Sequence, residues 1–339
     1  MEQQRIQSLY TAPWALPPEQ NPYYKKEQRK VFSRIGFAFA AYLAFTTVMV
    51  YALYTAAYLI APSIIENHWG IFSMVITVIP SYLLGVPLVA GLLIGLPKKR
   101  PEKKKIGFGG WVTFLAVAFF LMMAGSYIAT FLMGVIENIR GTEITNAIDQ
   151  QITESSPLSN LILMVILAPI AEEILCRKLI IDRLLPYSEM LAVVISGLIF
   201  GLLHGNFYQF FYATFLGILF GVVYVKTGKL IHTILMHMII NFTGSIIADF
   251  IGKMSSDLAS APTSINPWDI VAAIYSLSMM VLSICGAVLM ISCIRRHKLK
   301  KIGDRYLTLS TQFKLGWINA GMITYCAICA VAFFGSLFI

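Results

Sequence analysis

Residues 158–177 read LSNLILMVILAPIAEEILCR, an apolar run that carries two adjacent carboxylates and then a guanidinium four residues after the second. An ionised side chain at the centre of a bilayer costs at least ~2.5–3.5 kcal/mol, so Glu172, Glu173 and Arg177 need partners or work there. The rest of the chain makes that setting a membrane. Of its 339 residues 58% are hydrophobic and 13% charged, with a positive mean hydropathy. Apolar runs of at least ~18–20 residues can cross a ~30 Å hydrocarbon layer as helices. They occur near 36–60, 71–96, 111–136, 158–181, 190–205, 207–225, 230–249, 270–293 and 316–339, the fifth being short. Backbone groups cannot stay unpaired in lipid, and the runs lack the strict alternation of barrel strands. The expected fold class is therefore all-α, a polytopic transmembrane helix bundle of about nine spans.

Lys and Arg orient such a bundle, because they concentrate in cytoplasmic segments. With the N-terminus inside, 24 of the 26 fall on the cytoplasmic side, leaving Arg140 and Lys253 outside. The outer segments carry Glu66, Glu137, Glu143, Asp149 and Glu154 instead. The expected location is a cell membrane, with a polar, basic cytoplasmic tail over 1–34, N-terminal spans and an outer loop over 35–157, a core over 158–250 and C-terminal spans over 251–339. The head has no apolar core for a cleavable signal. Basic runs such as Lys98-Lys99-Arg100 and Arg295-Arg296-His297-Lys298 sit beside spans, so they read as anchors touching anionic lipid rather than nucleic acid. Cys176, Cys285, Cys293, Cys326 and Cys329 lie in or at the ends of spans and read as small packing residues, the C-x-x-C of Cys326 and Cys329 included.

Between Glu172 and Asn241 the polar residues form three short patterns. Glu173 and Arg177 are one helical turn apart and should pair, whereas Glu172, turned about 100° away, faces another neighbour. Phe200 and His204 share a face at i and i+4, as do His237 and Asn241. A carboxylate in a partly wetted, low-dielectric site suits a general base for water. At ~1.5 Å per residue Glu172 lies ~15 Å inside the basic edge, and His237 and Asn241 ~10–16 Å inside. His204, at ~21 Å, sits near the far end of its short span, which fits if the chain turns at Gly205-Asn206.

Glu172-Glu173-x-x-x-Arg177, Phe200-x-x-x-His204 and His237-x-x-x-Asn241, in that order on successive membrane helices, resemble the signature of the CPBP (ABI) intramembrane proteases, related to the type II CAAX prenyl endopeptidases. The resemblance covers residues 158–250 and implies a membrane endopeptidase. By it, Glu172 and His204 would activate water, His237 and Asn241 would stabilise the tetrahedral oxyanion, and Glu173, Arg177 and Phe200 would support them. The implied partner is a membrane-anchored or hydrophobic peptide, as in bacterial relatives that process bacteriocins or peptide signals, and the cavity is expected to open toward the cytoplasm.

Other readings remain. Glu172, His204 and His237 match a catalytic zinc site in ligand count, with a position left for water, although no H-E-x-x-H pair is present. A glutamate mechanism without metal is the favoured expectation. The same bundle could serve as a non-catalytic scaffold or immunity factor, or, with its buried charges, as a transporter. His232 reads as an interhelical hydrogen-bonding group, and Cys176 lacks an activating neighbour that would make it a nucleophile. The substrate, the cleavage site and the oligomeric state are not legible.

Overall fold

A computed structural model describes residues 22–258, 267–301 and 307–338. The described residues are helical and contain no strand. Apart from the short helix Pro62–Asn67, the helices are α1 (Pro22–Ile60), α2 (Trp69–Leu92), α3 (Phe108–Arg140), α4 (Ala147–Glu154), α5 (Pro157–Leu184), α6 (Glu189–Leu203), α7 (Phe207–Thr227), α8 (Leu230–Ser255), α9 (Pro267–Arg296), α10 (Leu309–Trp317) and α11 (Ala320–Gly335). Seven of them, α1, α2, α3, α5, α7, α8 and α9, are long and apolar enough to cross a membrane, and the bent pair α10–α11 makes eight.

Seven or eight helices thus meet that length where about nine spans were expected, and the segment at 190–205 is the one below it. Its helix, α6, has only 15 residues, about 22 Å at the α-helical rise, and falls short of the hydrocarbon thickness. It ends at His204-Gly205-Asn206, where Gly205 takes a left-handed φ of 65° and the Asn206 side chain caps α7 by accepting from the Gln209 N–H. The last expected span is also modified. A 60° bend separates α10 from α11, because Asn319 leaves helical geometry to cap α11 at the Met322 N–H.

Part of the expected polar head is regular structure. Residues 1–21 lie outside the described residues, but α1 begins at Pro22 and buries Gln28, Val31, Phe32, Ile35 and Phe39 along one face. Among residues 22–34, Lys25, Lys26, Glu27, Arg29 and Lys30 are good helix formers, so the first span continues as helix into the basic region.

The basic segments gather at one end of the bundle. Lys99 N–H donates to Asp182 O and Lys104 N–H to Thr227 O, while Met190 N–H donates to Lys300 O. Lys226 pairs with Glu189 at 2.7 Å. Gly228, left-handed at φ 64°, ends α7 there, and a Cβ on it would meet Glu102 O at 2.5 Å. At the opposite end Tyr208 donates to Glu137 Oε1 and contacts Ile144 O, which seats the segment containing α4.

The core has two parts. One joins α1, α5, α6 and α11 around Phe32, Phe39, Ile180, Val193 and Tyr325. The other joins α3, α7, α8 and α9 around Phe114, Phe119, Phe220 and Met236. α7 packs against α6, α3 and α8 and forms the seam, on which the candidate site lies.

Candidate active site

The local chain geometry of α5 explains how two carboxylates reach different surroundings. A helix of 3.6 residues per turn points adjacent side chains about 100° apart. Glu173 is fully buried, while the Glu172 side chain keeps 24% exposure. α5 is π-helical on both sides of the pair, at Leu161–Leu167 and Ile174–Ile181. Such widened turns recur at functional sites.

Glu173 Oε1 lies 2.9 Å from Arg177 Nη2, both side chains being completely buried. The guanidinium also donates to Ser196 Oγ at 3.3 Å and lies between two rings, 5.0 Å from Phe200 and 5.8 Å from Phe220. Arg177 therefore clamps the two halves of the core, since Phe200 belongs to one and Phe220 to the other.

The separation of one paired and one free glutamate is less complete than the spacing alone implies. His237, from α8, stands between them, with Nδ1 3.3 Å from Glu173 Oε1 and Nε2 3.7 Å from Glu172 Oε2. A carboxylate only accepts, so Nδ1 carries a proton toward Glu173. Nε2 is the ring nitrogen that faces Glu172. Phe220 packs on His237 at 5.6 Å, and the Phe200 edge meets its ring at 5.6 Å.

His204 is the C-cap of α6. Its Nδ1 lies 2.8 Å from Phe200 O. A carbonyl can only accept, so Nδ1 is the protonated nitrogen and Nε2 keeps a lone pair for a proton. Phe200 thus does more than pack: its carbonyl fixes the His204 tautomer and its ring touches both histidines and Arg177. Asn241 donates from Nδ2 to Met164 O at 2.7 Å, in the first π-helical turn of α5, which leaves its second N–H for other use.

Glu172, Phe200, His204, His237 and Asn241 all line one cavity of about 670 Å3. Glu173 and Arg177 lie behind it. The depth of His204 is thereby accounted for, because the cavity extends away from the basic end. Its wall continues through Ser126 and Thr130 of α3, Tyr208 and Gln209 at the start of α7, and Asn146, Asp149 and Ile152 around α4. These residues lie toward the end opposite the basic segments, so the cavity extends from the catalytic motifs toward that end. Burial raises the Asp149 carboxyl above the usual range, opposed by a hydrogen bond from Asn146.

His232 and Cys176 do not line this cavity. The His232 carbonyl accepts from Trp111 Nε1, and Cys176 is completely buried in the core. Among the described residues no three His, Cys, Asp or Glu side chains are grouped to hold a metal ion. In the set read from the sequence as possible zinc ligands, Glu172, His204 and His237, His237 Nδ1 is engaged by Glu173 and His204 Nδ1 by a carbonyl, which leaves Nε2 of each ring for other use.

Sequence reasoning missed the bridging position of His237, the polar network that runs from Asn206 through Gln209 to Tyr212, and the cavity wall from α3 and α4. The Asn206-x-x-Gln209-x-x-Tyr212 spacing on one helix face was the available signal.

Residues 154–243 match a family model described as type II CAAX prenyl endopeptidase Rce1-like. Comparison with curated proteins and with solved structures gave no significant match. All seven residues of the three motifs fall inside the matched segment. Over that membrane-embedded segment the chain therefore matches the Rce1-like type II CAAX prenyl endopeptidase family, in agreement with the resemblance that its three motifs carry.

Proposed function

We propose that the protein is an intramembrane endopeptidase that hydrolyses a peptide bond in a membrane-associated peptide. The observation that carries this reading is the convergence of Glu172, His204, His237 and Asn241, from α5, the α6–α7 turn and α8, on one cavity. Peptide hydrolysis needs a base for water, donors for the developing oxyanion and an acid for the leaving amine. Glu172, with the lone pair on His204 Nε2 nearby, takes the proton from water. His237 and the free N–H of Asn241 face the oxyanion, and the captured proton passes to the amine. Glu173 and Arg177 hold His237 in place from behind. This route uses no metal; stoichiometric zinc whose removal and return switch cleavage off and on would overturn that part.

A scaffold or immunity factor of the same fold needs no partly exposed Glu172 beside two histidines. The two classes separate in one experiment. Membrane-associated peptides are compared by mass spectrometry between cells carrying wild type and Glu172→Gln. Products present only with wild type are expected, and identical peptide profiles would refute the endopeptidase.

The extent of the cavity also supports a reading of the side of access. If the basic end is cytoplasmic, the cavity reaches the outer side, and its substrate comes from the outer leaflet or the exterior. In a cysteine-free background, single cysteines at Lys103 and Lys300 should resist an impermeant thiol reagent in intact cells, while one at Glu143 should label. Labelling of Lys103Cys from outside would invert this topology.

A further inference from the structure

The Tyr212 hydroxyl occupies the cavity wall beside Gln209, and the direction of its hydrogen bonds is fixed by the backbone. The Gln209 N–H donates to Asn206 Oδ1 at 2.9 Å, so the other end of the Asn206 amide is Nδ2. That nitrogen donates to His204 O at 2.9 Å and to Gln209 Oε1 at 2.8 Å. The Gln209 amide is thereby oriented with Nε2 toward Tyr212, to which it donates at 2.9 Å. Tyr212 Oη accepts this bond, and its own proton is free to point elsewhere. The network starts from the His204 carbonyl, so the turn that carries the proposed base also sets the phenol.

The backbone of Tyr212 is equally constrained. A Cβ on Gly125 of α3 would fall 2.4 Å from Tyr212 Cα and 2.5 Å from its N, so the two helices touch there main chain to main chain. Meanwhile the other donors available to an oxyanion are few. Asn241 spends one N–H on Met164 O, and His237 gives Nδ1 to Glu173 while its Nε2 stands near Glu172.

The geometry points to Tyr212 as a further catalytic residue, whose O–H donates a hydrogen bond to the scissile carbonyl oxygen as it becomes the tetrahedral oxyanion. This rests on the endopeptidase reading. Water oxygen bonds to the carbonyl carbon and its proton goes to Glu172 or His204. The carbonyl π pair moves onto oxygen, which accepts the Tyr212 hydrogen bond; that pair then returns to re-form the C=O of the product acid as the C–N bond breaks and the leaving nitrogen takes up the proton. Tyr212 keeps its proton throughout, and Gln209 acts as a positioning residue.

The test uses the purified full chain and a dye-quenched peptide that reproduces the bond whose product disappears in Glu172→Gln cells. Tyr212→Phe keeps the ring and should lower kcat about 100-fold with KM within about 2-fold, the scale of losing one preorganised oxyanion donor. Its thermal midpoint should match wild type. Gln209→Leu, which frees the phenol to rotate, should lower kcat about 10-fold with the hydroxyl still present. Wild-type kcat in Tyr212→Phe, or a change confined to KM, overturns the inference while a dead Glu172→Gln leaves the endopeptidase standing. Full cleavage by Glu172→Gln overturns both.

Discussion

Glu172→Gln is expected to reduce cleavage by at least ~1,000-fold while the protein folds normally, within the range for loss of a positioned acid–base group. Gln is nearly isosteric but cannot take a proton from water. The side chain is partly exposed to the cavity and its nearest ionic contact, His237 Nε2, is 3.7 Å away, so no buried pair is broken. The measurement is turnover of the quenched peptide by purified protein whose thermal midpoint equals that of wild type. Retention of even a tenth of wild-type kcat would remove Glu172 from the base role.

Arg177→Met should produce the largest loss of stability. It leaves the Glu173 carboxylate completely buried without its 2.9 Å partner and takes the cation from between Phe200 and Phe220. Stranding one partner of a buried pair costs about 3–5 kcal/mol. The expected readout is a collapse of folded yield and of the thermal midpoint in detergent. Arg177→Lys should recover only part, since an ammonium lacks the planar fork that serves Glu173, Ser196 and the two rings together. The double variant Glu173→Gln with Arg177→Met should be more stable than Arg177→Met alone, because no charge is then stranded. A midpoint for Arg177→Met within a degree or two of wild type would show that the pair is not needed.

These two expectations rest on parts of the molecule that the sequence displays to different degrees. The Glu173–Arg177 contact follows from helical spacing, because i and i+4 neighbours meet whatever the tertiary fold. The helical class follows as directly from apolar length. His237 between both glutamates does not follow, since α5 and α8 are 64 residues apart in the pair that meets and only packing fixes their rotation. The shortness of α6 was legible, since the apolar run at 190–205 is itself short, and the cap by Asn206 follows the turn expected at Gly205-Asn206. The extent of the cavity was not legible. It depends on the residues of α3 and α4 that wall it, none of which carries a catalytic pattern.

The shortness of α6 also bears on how the chain is made. A segment of 15 residues is a weak candidate for insertion by itself, and α5 must enter the bilayer with Glu172, Glu173 and Arg177 aboard. α6 gains its apolar surroundings only once α7 has emerged from the ribosome and folded back on it as a hairpin, where Gly197 and Gly217 bring the two backbones close. Glu172 and Glu173 gain their shared histidine only after α8 follows. During biosynthesis the proposed centre is therefore assembled late, and a nascent chain stopped before Leu230 would hold the charges without the histidine that joins them.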